Sequence, residues 1–189
     1  MVENRDENTG GHIKRTSDVI RILIDVIREK NILQLSDEFC EDLIKAAPMH
    51  DLGKIGIDDK ILRKPGKLTD EEFSIMQSHV IKSAQLVEKI LNGVEEEHFV
   101  KVAFNVARYH HEKWNGMGYP DKLKGEEIPL ESRIMAIADV YDALVSKRCY
   151  KEPMSFEQAY SVMIESMGSH FDPNLEQVFI LSRNKLEEY

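Results

Sequence analysis

Cysteine is scarce in this chain of 189 residues: there are two, Cys40 and Cys149, and neither belongs to a CxxC pair. Two such thiols build no disulfide scaffold, so they read as reduced thiols of a cytoplasmic protein. A run of about 18 apolar residues is missing as well, which excludes an ordinary membrane-spanning helix. The first residues, MVENRDENTGGH, are polar and lack the apolar stretch of a secretory signal. Positive charge is also in short supply, with 25 Lys and Arg against 34 Asp and Glu, a net charge of −9. That balance argues against binding DNA or RNA polymers or an anionic membrane, yet it leaves room for a local basic pocket and suits divalent cations. What is present, 42% hydrophobic residues with 31% charged ones, is ordinary for a globular fold.

Helical periodicity runs through nearly all of it. Val19, Ile20, Ile22, Leu23, Val26 and Ile27 give the three-and-four spacing of an amphipathic helix over residues 12–29. Phe39, Leu43, Ile44 and Ala47 predict a second, capped by Ser36 and ending near Pro48. Thr69 and Glu72 have capping-box spacing and open a long helix that closes at Gly93. Further helices are predicted over residues 95–111, 130–147, 155–167 and 173–187, with Pro129, Pro153 and Pro173 near the starts of the last three. No strand alternation appears. The expectation is an all-α helical bundle, a single domain over residues 1–189, with function collected in the irregular stretches 53–68 and 112–129. A motif beginning as early as Arg5 is what a domain cut from a longer protein would show.

Several polar residues sit where a helical bundle would have to explain them. His50 and Asp51 follow an apolar helix and precede Gly53, Lys54 and Gly56; at a helix end both can turn to one metal centre, and a two-oxygen carboxylate can bridge two ions. His79 shares a helical stripe with Ile75, Leu86 and Ile90, so it points to the core, either as a satisfied core histidine or as a ligand. Asp139 lies among Ile134, Met135, Ala136, Ala138 and Ala143, and a buried carboxylate needs a partner or a metal. Asp142, nearly one turn on, is a candidate for support of the fold or of the ligands. His12 opens the first helix, and His110 and His111 stand at the mouth of YHHEKWNGMGYP. One metal centre assembled from separate helices accounts for His12, His50, His79, His110, His111, Asp51 and Asp139 together. His98 and His170 fit no such pattern and are read as surface or packing residues.

RDENTGGHIKRT, HDLGK, the lone His79, HHEKWNGMGYP and ADVYDAL resemble, in order and spacing, the HD-GYP domain of the HD superfamily of metal-dependent phosphohydrolases. The motifs span residues 5–151, and residues 153–189 look like the closing helices of that family. The resemblance implies a centre of two or three metals, commonly iron or manganese, that hydrolyses cyclic di-GMP to pGpG and then slowly to GMP, with metal-activated water as the nucleophile. It assigns His12, His50, Asp51, His79, His110, His111 and Asp139 to the metals, with Asp51 as the bridge. Lys54 falls to the substrate phosphate, and Arg148 and Lys151 to phosphate binding. Tyr119 and Trp114 either stack on a purine or pack the loop, with Tyr119 the better placed for stacking.

Two departures bear on these expectations. Asn8 stands where relatives with a third metal have an acidic residue four positions before the first histidine, and an uncharged amide is a weaker ligand, so two metals are expected; Glu7 would need a local shift to substitute. Ser83 replaces a frequent glycine and could shift His79 through close helix packing. The alternatives in function are an HD phosphohydrolase of another cyclic dinucleotide or nucleotide, and a non-catalytic cyclic-dinucleotide-binding signalling module. By analogy, the GYP loop is also a contact for partner proteins, including diguanylate cyclases.

Overall fold

The computed structural model describes residues 11–146 and 153–188. Its helices run α1 (His12–Glu29), α2 (Asp37–Ala46), the single turn α3 (Asp59–Leu62), α4 (Asp70–Gln77), α5 (His79–Ile90), α6 (Glu97–Tyr109), α7 (Leu130–Val145), α8 (Phe156–Glu165), α9 (Glu176–Leu181) and α10 (Arg183–Glu187). No extended strand occurs among the described residues; there is an isolated bridge between Met167 and Phe171. The all-α expectation therefore holds.

Helix starts follow the capping chemistry in the sequence. Ser36 Oγ accepts the Phe39 amide at 3.1 Å, and Thr69 with Glu72 and Ser155 with Gln158 both form reciprocal capping boxes, which satisfy amides that have no partner inside the helix. The apolar stripe of α1 is buried as Val19, Ile20, Leu23, Val26 and Ile27. It packs on α7, while α6 packs on α2 and α5. Ile134, Met135 and Ile137 of α7 complete the centre of the core with Leu43, Val106 and Phe179. Burying side chains of this size stabilises a fold by about 1.5–3 kcal/mol each before chain entropy is counted. Tyr141 Oη donates to the Leu186 carbonyl at 2.8 Å and ties α10 to α7.

The helix expected from Thr69 to Gly93 is two helices, broken at Ser78. Ser78 Oγ donates to the Ile75 carbonyl at 2.6 Å, and His79 Nδ1 contacts the Met76 carbonyl at 2.7 Å. Side chains thus capture two carbonyls, and insertions of this kind kink a helix. The stripe assigned to His79 changes with it. Ile75 and Ile90 are exposed, and the buried face of α5 is His79, Val80, Ser83, Ala84 and Val87. The helix predicted over 173–187 is likewise interrupted at Ser182, whose Oγ donates to the Val178 carbonyl at 2.8 Å.

Candidate metal centre

Five segments deliver the polar residues to one place. His12 begins α1, directly after Gly11. His50 and Asp51 lie between two 3-10 turns, Ala47–Met49 and Leu52–Gly56. His79 is the first residue of α5, His110 caps the end of α6 with His111 next in line, and Asp139 sits in the middle of α7. Ligand atoms of His12, His50 and Asp51 lie within 4.8 Å of one another, and so do those of His79, His110 and His111. Asp51 stands between the groups: Oδ2 is 3.2 Å from His50 Nε2, and Oδ1 is 3.3 Å from His79 Nε2 and 3.9 Å from His110 Nε2. Asp139 Oδ1 is 3.5 Å from His12 Nε2. All seven residues singled out as ligands are brought together.

The rings are oriented from behind. Nδ1 of His50, His79 and His110 donates to the carbonyls of Ala47, Met76 and Val106 at 2.7, 2.7 and 2.9 Å. Nδ1 of His12 lies 2.7 Å from Asp142 Oδ2, and Asp142 also receives Arg15 Nε at 2.5 Å. With each Nδ1–H committed, each Nε2 presents a lone pair inward. Nε2 of His12 and Nε2 of His50 then face each other at 3.1 Å, so that a proton or a metal cation has to lie between them. Asp51 Oδ1, His79 Nε2 and His110 Nε2 are buried without any hydrogen-bond partner. Unsatisfied buried acceptors are costly, and a divalent cation is the species that satisfies all of them. Neutral imidazoles with carboxylates are a donor set for divalent metal ions.

The electrostatics divide the imidazoles: against its burial, the Asp51 and Asp139 carboxylates raise His50 above the usual histidine range. Burial, reinforced by the neighbouring imidazoles, drives His110 and His111 well below the usual histidine range, and burial also lowers His79; their lone pairs are thus free of protons. Burial alone would raise Asp51, but the Lys54 ammonium and His50 hold it well below the usual carboxylate range. Lys54 Nζ is 2.6 Å from Asp51 Oδ2. Against its burial, Asp142 is pulled down to about 2 by His12 and Arg15.

The loop after His111 is built on close approach. A side chain at Gly118 would put its Cβ 2.4 Å from the Lys113 nitrogen and 2.5 Å from Glu112 Cα, so only glycine fits there. Glu112 is 2% exposed and its carboxylate accepts the Asp121 amide at 2.7 Å. Tyr119 leans over His111 with ring centroids 4.9 Å apart at 31°, and burial, aided by Asp139 and Asp51, pushes its phenol up. The Tyr119–Pro120 peptide is cis. Trp114 packs the loop instead: its amide donates to the His170 carbonyl at 3.0 Å and the Arg133 guanidinium lies over its ring at 5.8 Å.

Arg148 and Lys151, expected to bind phosphate, lie outside the described residues, as do Asn8 and Glu7. Ser83 does more than add bulk beside His79: its hydroxyl accepts the Gly53 amide at 2.7 Å and fastens the His50–Asp51 loop to α5. That contact and the role of Glu112 as anchor of the loop were not legible in the sequence. His98 pairs with Asp42 at 2.6 Å on the outer face.

Comparison with known proteins extends these observations. The HD domain profile matches residues 4–175. A cyclic di-GMP phosphodiesterase of Vibrio cholerae is 43% identical over 187 residues, 98% of this chain and 38% of the relative. A 3'3'-cGAMP-specific phosphodiesterase 2 of the same organism is 38% identical over 179 residues, 95% of this chain and 32% of the relative. This chain thus spans less than half the length of these curated relatives. Among solved structures, a cyclic GMP-AMP specific phosphodiesterase of V. cholerae superposes with a TM-score of 0.68 at 20% identity, covering 98% of this chain and 47% of that one, a likeness of fold.

Proposed function

The chain belongs to the HD-domain family, with the motifs of its HD-GYP branch, and on that premise we propose that it is a metal-dependent phosphodiesterase hydrolysing cyclic di-GMP to pGpG and, more slowly, to GMP. The observation that carries this reading is the clustering of His12, His50 and Asp51, with facing Nε2 atoms at 3.1 Å, joined through Asp51 to a second group of three imidazoles. Two divalent ions, iron or manganese, are held in this reading: His12, His50, Asp51 and Asp139 around one, and Asp51, His79, His110 and His111 around the other. Such ions supply Lewis acidity at phosphorus and lower the pKa of water.

The chain's own side chains do the rest. Asp51, with one oxygen toward each group, fixes their separation. Lys54, three residues on and partly buried, offers an ammonium to the phosphoryl oxygens as charge builds there. Its pairing with Asp51 aims that ammonium at the centre before substrate arrives. Tyr119 provides an aromatic wall beside His111, and Arg148 with Lys151 receives the second phosphate. The GYP loop is, by analogy, a contact for partner proteins, including diguanylate cyclases. No helix among the described residues is long and apolar enough to cross a membrane, and the proposed location is the cytoplasm.

A second reading, hydrolysis of a mixed guanine and adenine cyclic dinucleotide, is favoured by the name of the second relative above. The deciding experiment is turnover of both substrates by anaerobically purified protein loaded with ferrous iron or manganese, with bound metal counted on the same sample. Production of pGpG with about two metals per chain supports the proposal. A full metal complement without turnover of either substrate overturns it in favour of a binding module.

A further inference from the structure

Tyr119, which leans on His111, also lines a second space. A cavity of about 630 Å³ opens between the α4–α5 junction and the loop after His111, with Gln77, Ile81, Met117, Tyr119 and Lys122 in its lining. The Tyr119 ring borders both regions, leaning on His111 at 4.9 Å and meeting the Phe73 ring edge-on at 6.5 Å. A phosphodiester at the centre carries a nucleoside on either side, and this wall is the adjoining aromatic surface. One aromatic face, two apolar side chains and two polar ends make a surface suited to a flat heterocycle, which stacks and then pairs at its edge.

The polar ends differ in what they can recognise. Both Gln77, half-buried, and Lys122, exposed, line the cavity with polar side chains. Lys122 also holds φ +57, a left-handed backbone that residues with a side chain adopt rarely. The buried Glu112 carboxylate, which takes the preceding amide of Asp121 at 2.7 Å, secures that turn. An amide carries both a donor and an acceptor, so Gln77 can pair with either purine by turning over. An ammonium carries donors only. Guanine presents two acceptors, O6 and N7, on one edge, whereas adenine has an amino donor in place of O6.

We infer that this cavity is a nucleobase subsite and that Lys122 selects guanine over adenine in it. The inference rests on the cyclic-dinucleotide reading above and deepens it: it names the residue that separates a cyclic di-GMP enzyme from one for adenine-containing substrates. Gln77 and Tyr119 contribute affinity for both bases.

The test compares wild type with Lys122→Gln and Lys122→Arg, each metal-loaded, on cyclic di-GMP and cyclic di-AMP, with equilibrium binding of GMP and AMP measured by calorimetry. Wild type should prefer guanine, Lys122→Gln should lower the ratio of kcat/KM between the two substrates by roughly tenfold, mainly through KM, and Lys122→Arg should keep it. General damage to the fold would lower both substrates alike and leave the ratio in place. An unchanged ratio in Lys122→Gln overturns the inference. If no cyclic dinucleotide is hydrolysed, the phosphodiesterase reading falls, and the subsite is judged on binding: a guanine preference that Lys122→Gln erases upholds it, and equal binding of GMP and AMP by wild type overturns it.

Discussion

Oδ2 of Asp142 stands 2.7 Å from Nδ1 of His12, and this contact decides which nitrogen of His12 faces the other ligands. Arg15 fixes the carboxylate from its other side, Nε to Oδ1 at 2.5 Å. Outer partners of metal-binding histidines set ring orientation and basicity. Asp142→Asn should therefore weaken metal retention by about 10- to 100-fold, read as metal content after dialysis against graded chelator. Retention equal to wild type would show that His12 needs no such support.

Asp51 is the residue whose two oxygens face both histidine groups. Asp51→Asn keeps the shape but exchanges a charged, two-oxygen ligand for a neutral one. Turnover should vanish and metal content should fall at both positions, measured by elemental analysis beside a substrate assay. Normal metal content with normal turnover would remove Asp51 from the role given to it.

The loop carrying His50 and Asp51 is clasped to α5 by the Gly53 amide on Ser83 Oγ, 2.7 Å and buried. Ser83→Ala leaves that amide unpaired and should cost about 1–3 kcal/mol, read from urea unfolding. Gly53→Ala should be more damaging, because its Cβ would lie 2.0 Å from the His79 carbonyl oxygen. If Ser83→Ala matches wild type, the clasp is decorative.

Acid should loosen the fold in part through His170. Burial, with Lys113 nearby, lowers it from 6.5 to about 4. Between those values the unfolded chain binds a proton that the folded chain refuses, so stability falls as pH drops through that window and recovers above it. His79, His110 and His111, lowered likewise, add slope of the same sign. In chelator-treated protein, His170→Asn should flatten the loss of urea midpoint between pH 7.5 and 5 without abolishing it, and an unaltered slope would refute the assignment.

Much of this was legible in the sequence because it depended on local pattern. Capping residues at Ser36 and Thr69 marked helix starts that the structure keeps, and histidines at helix ends pointed to a shared centre. The break at Ser78 was not legible, since apolar spacing continues across it while side chains capture the carbonyls of Ile75 and Met76. For the same reason His79 was assigned a stripe with Ile75 and Ile90, which are exposed. The Ser83 clasp and the Glu112 anchor join segments far apart in the chain or fold a loop back on itself, and a one-dimensional pattern carries no trace of either.

His50, His79 and His110 each lean on a carbonyl three or four residues earlier in the chain. The His110 ring is thus locked to α6, the rod that bears it, while His79 at the head of α5 is held by the last turn of α4 and His50 by the 3-10 turn before it. When one rod slides or tilts, its imidazole travels as a rigid pointer and does not swivel to compensate. Spacing between the pointers then becomes a gauge of how the helices are packed, and a shift of α6, or of the joint between α4 and α5, carries an imidazole with it.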